Sequence, residues 1–167
     1  MVSLQSYPTV IGYTRKARLS DIREVADNMR AEDVAEVKAH SGSTPEQALL
    51  VSYLNSQPCM SIVSRHGNVI GMWGVVPQGD KVGRIWMLGT QAMFDDDKDR
   101  RTFLRQSKEM LRELHQQFIL LFNEVDARNT THIRWLRWMG FIFVRYRPNY
   151  GAEGRPFYEF CRVTSHV

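Results

Sequence analysis

The sequence is poor in the residues that build metal and redox sites. Its two cysteines, Cys59 and Cys161, are far apart and form no CxxC pair. They join no Cys/His cluster either, so no metal site is expected and both thiols are expected reduced within strands. No apolar run approaches the roughly 18 residues needed to span a bilayer. Residues Met1 to Gly12 mix Ser, Gln, Tyr and Pro, without the charged start and apolar core of a secretory signal. A cytosolic protein with no membrane span is the expectation. There is no internal repeat, low-complexity stretch or Pro/Gly-rich linker, so 167 residues are read as one domain, 13–167, preceded by an arm, 1–12, broken by Pro8 and Gly12.

What is present is an ordinary globular composition, 43% hydrophobic and 24% charged, long enough to bury a core. Net charge is +4, and the excess is uneven. From Asp126 to Arg162 seven arginines (128, 134, 137, 145, 147, 155 and 162) face three acids (126, 153 and 159). That bias favours an anionic partner for the C-terminal third, or a solvated basic face.

Periodicity supplies the elements. Thr14 to Leu19 alternates weakly as a short strand. Ser20 or Asp21 caps a helix carrying Ile22, Val25, Ala26 and Met29, and a second short helix covers Asp33 to Ala39. Thr44-Pro45-Glu46-Gln47 opens a third helix with a capping box and a proline in the first turn. Cys59 to Arg65 and Val69 to Val76 are strands joined through Gly67-Asn68, with a turn over Pro77 to Asp80. Gly83 to Leu88 is a central strand ended by Gly89-Thr90. The strongest helix, Asp99 to Phe118, has one apolar stripe. A buried strand (Ile119 to Val125), a helix from Asn129 to about Trp138, and a hairpin of strands Phe141 to Arg147 and Phe157 to Val163 follow. This order gives an α/β (α+β) class, a mixed sheet with helices on its faces.

The run from Asn129 to Phe141 (NTTHIRWLRWMGF) narrows that class. It resembles the last conserved block of the GNAT (GCN5-related N-acetyltransferase) family. An Asn caps a short helix, Gly140 supplies the left-handed turn that ends it, and Phe141 starts the next strand. Strand 84–88, a turn and a long amphipathic helix resemble that family's cofactor-holding unit. Trp86-Met87-Leu88-Gly89-Thr90, the basic helix and Asn129 to Leu136 are similar to small GNAT-like proteins of tailed phages, including the internal virion protein A family of short-tailed phages. The likeness covers roughly 33 to 143. It implies a mainly antiparallel twisted sheet flanked by helices, and acetyl-CoA as cofactor. The residues it places at that cofactor are Leu88, Gly89, Thr90, Gln91, Ala92 and Asn129.

The family's pyrophosphate loop is of the type Q/R-x-x-G-x-G/A, in which small residues let backbone N–H groups and a helix dipole reach phosphate. Here Gln91 is followed by Ala92, Met93, Phe94 and three aspartates, 95–97, with no glycine pair. Carboxylates at a helix start stabilise the dipole themselves and repel a pyrophosphate. Consecutive aspartates also cannot converge on one cation. Position 136, where many of these enzymes carry the tyrosine that protonates the departing thiolate, is leucine, which cannot donate a proton. Tyr146, Tyr150 and His132 are the replacements at hand, and the spacing selects none of them. His132 reads more readily as a surface or packing histidine. The strand around Trp86 offers no acid or histidine as general base.

Trp135 and Trp138, with Arg134, Arg137, Arg145, Tyr146 and Arg147, are suited to a protein interface more than to a nucleic-acid groove. The expectation is a phage-encoded GNAT-fold protein with a degenerate acetyl-CoA site, in the virion or the host cytoplasm. It would act in virion assembly or host takeover by binding phage or host proteins, with a homo-oligomer also open. The alternative is an active N-acetyltransferase that modifies a host protein or small amine.

Overall fold

A computed structural model describes residues 13–164; the arm expected over 1–12 lies outside the described residues. Seven strands form one sheet: β1 (Tyr13–Lys16), β2 (Cys59–Val63), β3 (Val69–Gly79), β4 (Val82–Gly89), β5 (Leu120–Asp126), β6 (Ile142–Tyr150) and β7 (Arg155–Val163). Their order across the sheet is β1-β2-β3-β4-β5-β7-β6. All neighbours are antiparallel except β4 and β5. Those two pair only from Val82–Leu120 to Arg84–Phe122 and then part. The sheet therefore opens toward the C-terminal ends of β4 and β5.

Six helices cover it: α1 (Leu19–Asp27), α2 (Ala31–Ser41), α3 (Pro45–Asn55), α4 (Ala92–Asp95), α5 (Asp97–Leu114) and α6 (Thr130–Trp138). One buried cluster lies beneath α5 and α6 and includes Trp73, Phe103, Leu111, Leu136, Phe141 and Phe160. A smaller one, with Ile22, Val25, Leu49 and Met72, lies on the other face beneath α1 and α3. No helix among the described residues is long and apolar enough to cross a membrane.

Local chemistry explains several boundaries. Thr44 Oγ1 accepts the Gln47 N–H at 3.2 Å and Gln47 Oε1 accepts the Thr44 N–H at 3.0 Å, the expected capping box. Gly140 takes φ +87° and turns the chain so that Phe141 enters the core at 3% exposure. On α5 the buried Phe103, Ser107, Leu111 and Leu114 recur at spacings of three and four, one face of a helix.

Other boundaries moved. α1 begins at Leu19, after Arg18, because the Asp21 carboxylate reaches back to accept the Arg18 N–H at 2.8 Å. The long helix begins at Asp97 and stops at Leu114. Asp96 is its cap, accepting the N–H groups of Lys98 and Asp99 at 2.9 and 3.0 Å. Asp99 instead turns away to accept the Arg65 N–H at 3.0 Å. β3 runs three residues past Val76, with Pro77 opposite Gly83. β6 continues to Tyr150, so the expected loop shrinks to the turn Gly151–Gly154, with both glycines at positive φ.

Candidate functional site

The site is built where β4 ends. Gly89, its last residue, has both backbone groups taken by the start of α2. Its N–H donates to Asp33 Oδ2 at 2.9 Å, and its carbonyl accepts the Arg30 N–H at 3.0 Å. Arg30 and Asp33 form an ion pair of 2.8 Å at 7% and 4% side-chain exposure. Asn129 closes the cluster: its Oδ1 accepts from Arg30 Nη2, and its Nδ2 donates to Asp33 Oδ1, each at 3.1 Å. The same Nδ2 lies 3.2 Å from Glu36 Oε2, which also accepts the Asp126 N–H at 3.0 Å. Asn129 is therefore a buried bracket between α2 and α6, and its side chain makes no cap for α6, contrary to the sequence expectation. A polar group sealed from water is held wherever donors and acceptors converge, and here that is α2.

Next to this cluster, the gap between β4 and β5 encloses a cavity of about 440 Å³. Its walls are mainly apolar, with Trp86, Met87 and Leu88 from β4 and Trp135 and Leu136 from α6. Glu36 and His40 reach it from α2, Asn123 and Glu124 from β5, and His132 from α6. Arg84 and Glu124 are paired across the mouth of the gap at 2.5 Å. Burial, reinforced by the neighbouring Asp33 charge, pushes the Glu36 carboxyl up to about 8. Burial holds His132 down at about 4 and also lowers His40. At neutral pH the cavity thus presents a protonated carboxyl and uncharged imidazoles. A carboxyl that titrates near neutrality is suited to move a proton.

A second cavity, about 360 Å³, lies between α5 and α6 against the end of β4. His132 and Trp135 line both cavities.

The residues expected at a cofactor are divided between these places. Leu88 lines the first cavity and Gly89 the second. Thr90 is buried, its N–H and hydroxyl both donating to the Ile70 carbonyl at 2.9 and 2.8 Å. Gln91 and Ala92 are exposed. A Cβ on Gly89 would collide with the sulfur of Met93, which is itself buried at 1% exposure. The space that glycine leaves is filled by this chain's own methionine. Tyr146 is 55% exposed on the edge strand β6 and lines neither cavity. Tyr150 comes nearer, with its hydroxyl 3.4 Å from His40 Nε2. Leu136 is 2% exposed in the wall of the first cavity. Among the described residues no group of three or more His, Cys, Asp or Glu is placed to hold a metal ion.

Sequence reasoning passed over Arg30, Asp33, Glu36, His40 and the Arg84–Glu124 pair. Part of the signal was there, because Asp33, Glu36 and His40 recur at spacings of three and four and share one face of α2. Nothing local marks that face as turned toward the gap.

The chain has the fold of the GNAT acetyltransferases. Ard1 of Thermoplasma volcanium superposes with a TM-score of 0.67 at 20% identity, over 94% of this chain and 100% of that one. The ribosomal-protein-S18-alanine N-acetyltransferase of Escherichia coli gives 0.67 at 14%, over 94% and 96%. The spermidine N-acetyltransferase of Vibrio cholerae, solved with CoA and spermine, gives 0.66 at 12%, over 91% and 95%. Within that fold, residues 59–146 match the model of the family described as bacteriophage T7, probable scaffold protein Gp13. That segment, β2 to β6, is more than half of the chain, and the protein belongs to that family. A search of the curated proteins gives no match.

Proposed function

We propose that this protein uses the GNAT fold as a protein-binding module in phage virion assembly, and that its acetyl-CoA site is degenerate. The family described as a probable scaffold protein supports the assembly role, together with protein partners and association with the virion. An internal position in the virion, which the resemblance to internal virion protein A implies, is part of the same proposal.

One observation carries the loss of the cofactor site. The N–H groups that open α5, where a pyrophosphate would sit, are spent on the Asp96 carboxylate. Asp95 and Asp97 add exposed negative charge beside it. A helix start answers one anion well, and here the anion is built in. The Gly89 backbone committed to α2 and the Met93 side chain packed against Gly89 support the same reading.

The second reading, an acetyl-CoA-dependent N-acetyltransferase acting on a protein or small amine, is favoured by Glu36. A carboxyl raised to about 8 beside an apolar cavity is what a general base for an ammonium substrate needs. Thermal denaturation with millimolar acetyl-CoA separates the two. Any ligand bound to the native state at about 100 μM or tighter raises the melting temperature by mass action. An unchanged melting temperature is expected; a rise of several degrees refutes the degenerate-site reading.

A further inference from the structure

We infer that the groove between α5 and α6 is a docking site for an acidic segment of a partner protein carrying one bulky apolar side chain. This rests on the reading that the groove is not a cofactor groove.

The cavity in this groove is about 360 Å³, room enough for an aromatic or leucine side chain. Phe94, Phe103, Leu104 and Trp135 are among the residues lining it. Its rim is cationic. Arg134 lines the cavity from α6, is exposed, and joins no ion pair among the described residues. From α5, Lys108 sits 4.0 Å from the ring centroid of Trp138, a cation held by an aromatic face and not by an acid. Arg100, four residues before Leu104 on the same helix face, also lines the cavity, although it shares its charge with Asp97 at 2.8 Å. The buried acid in the cavity wall, Asp33, is consumed by Arg30. Trp138 is 46% exposed beside Arg134 and Lys108, the tryptophan-and-cation composition typical of interface hot spots.

Arg100 and Arg134 line the cavity itself, and Lys108 lies against Trp138, which also lines it. A bound segment sets its acids on Arg134 and Lys108 and its apolar side chain in the cavity. The aromatic surfaces argue for protein over nucleic acid. Lys108 covers a face of Trp138, and Trp135 is stacked on Phe103 at 5.4 Å and tilted against His132. Bases bind such grooves by stacking on open aromatic faces, and these faces are engaged internally. A second copy of this chain is a poor occupant. Its one run of acids, 95–97, has Asp96 tied to Arg65 and to the start of α5.

The test is selection of random peptides displayed on phage against the immobilised full-length protein, then fluorescence anisotropy with the winning peptide. Enriched sequences should combine two or more acids with an aromatic residue or leucine. Affinity should fall about tenfold or more in Lys108→Glu/Arg134→Glu, and comparably in Leu104→Trp, which fills the cavity without touching charge. Thr131→Trp on the exposed rim of the cavity serves if Leu104→Trp does not fold. An enriched set without acids overturns the inference. So does binding that survives both cavity-filling variants, which is ion exchange only, or an oligo-dT strand that binds more tightly than the peptide and displaces it. Acetyl-CoA is run as a competitor. If it binds and displaces the peptide, the degenerate-site reading falls while the groove stands. If neither ligand binds, this inference alone fails.

Discussion

Asp33 and Gly89, 56 residues apart, are joined by a 2.9 Å hydrogen bond from the Gly89 N–H to the buried carboxylate. This bond straps the start of α2 across the end of β4, and the Arg30 N–H closes the strap by donating to the Gly89 carbonyl. The strand end that the sequence suggested for a cofactor is thereby committed to the protein's own backbone and side chains.

Removing Asp33 should show what the strap contributes. Asp33→Ala leaves Arg30 buried without its partner, and breaking one side of a buried pair costs about 3–5 kcal/mol. Urea denaturation is expected to show a loss of unfolding free energy of that size. A loss below about 1 kcal/mol would show that Arg30 finds water or another acceptor.

The packing of Met93 against Gly89 predicts coupling. Gly89→Ala should cost about 1–3 kcal/mol by overpacking. Met93→Ala alone should cost a comparable amount by leaving a hole. The double variant should be less destabilised than the sum of the two, because the smaller side chain admits the new methyl group. Strict additivity in a double-mutant cycle would contradict this packing.

Two groups give the stability a pH dependence of opposite signs. The folded-state Glu36 carboxyl is raised from 4.5 to about 8. Its contribution is full below about 4.5 and is lost as pH rises through about 8. His132 is lowered from 6.5 to about 4, so its contribution is present above 6.5 and is lost as pH falls toward 4. Between 4.5 and 6.5 the two oppose each other; above 6.5 the Glu36 effect stands without that offset. Glu36→Gln, which keeps an acceptor for the Asp126 N–H, should flatten the fall in stability between about pH 6.5 and 8.5. An unchanged slope in chemical denaturation across that range would rule Glu36 out as its source.

Proton NMR of the imidazole C2–H signals tests His132 directly. One histidine, lost in His132→Gln, should titrate near pH 4. A midpoint near 6.5 for that signal would mean that the ring is solvated.

Leu136→Tyr places the family's usual proton donor at its position in the helix. The leucine is 2% exposed, so a phenol there should cost about 1–3 kcal/mol. Acetyl transfer to a polyamine or peptide amine is expected to stay at background, because the cofactor loop is unchanged. Activity above background in this variant would locate the missing function at this one residue.

The sequence by itself determined the features whose causes are local. The Thr44–Gln47 capping box, the Gly140 turn and the stripe of α5 depend on neighbours within about one or two helical turns, so composition and spacing report them. The element order and the Asn129–Phe141 block were enough to imply the fold. Even the self-capped start of α5 was visible as three consecutive aspartates, although the cap among them is Asp96, whose one oxygen accepts the Lys98 and Asp99 N–H groups while Arg65 holds the other. The tertiary structure decided the rest. Asn129 left its expected capping role because Arg30 and Asp33, 99 and 96 residues away, offered it a complete set of partners out of water. Gly89 became packing space because Met93 turned back onto it. Those outcomes depend on which groups meet when the sheet opens between β4 and β5, and residue spacing along the chain does not encode that meeting.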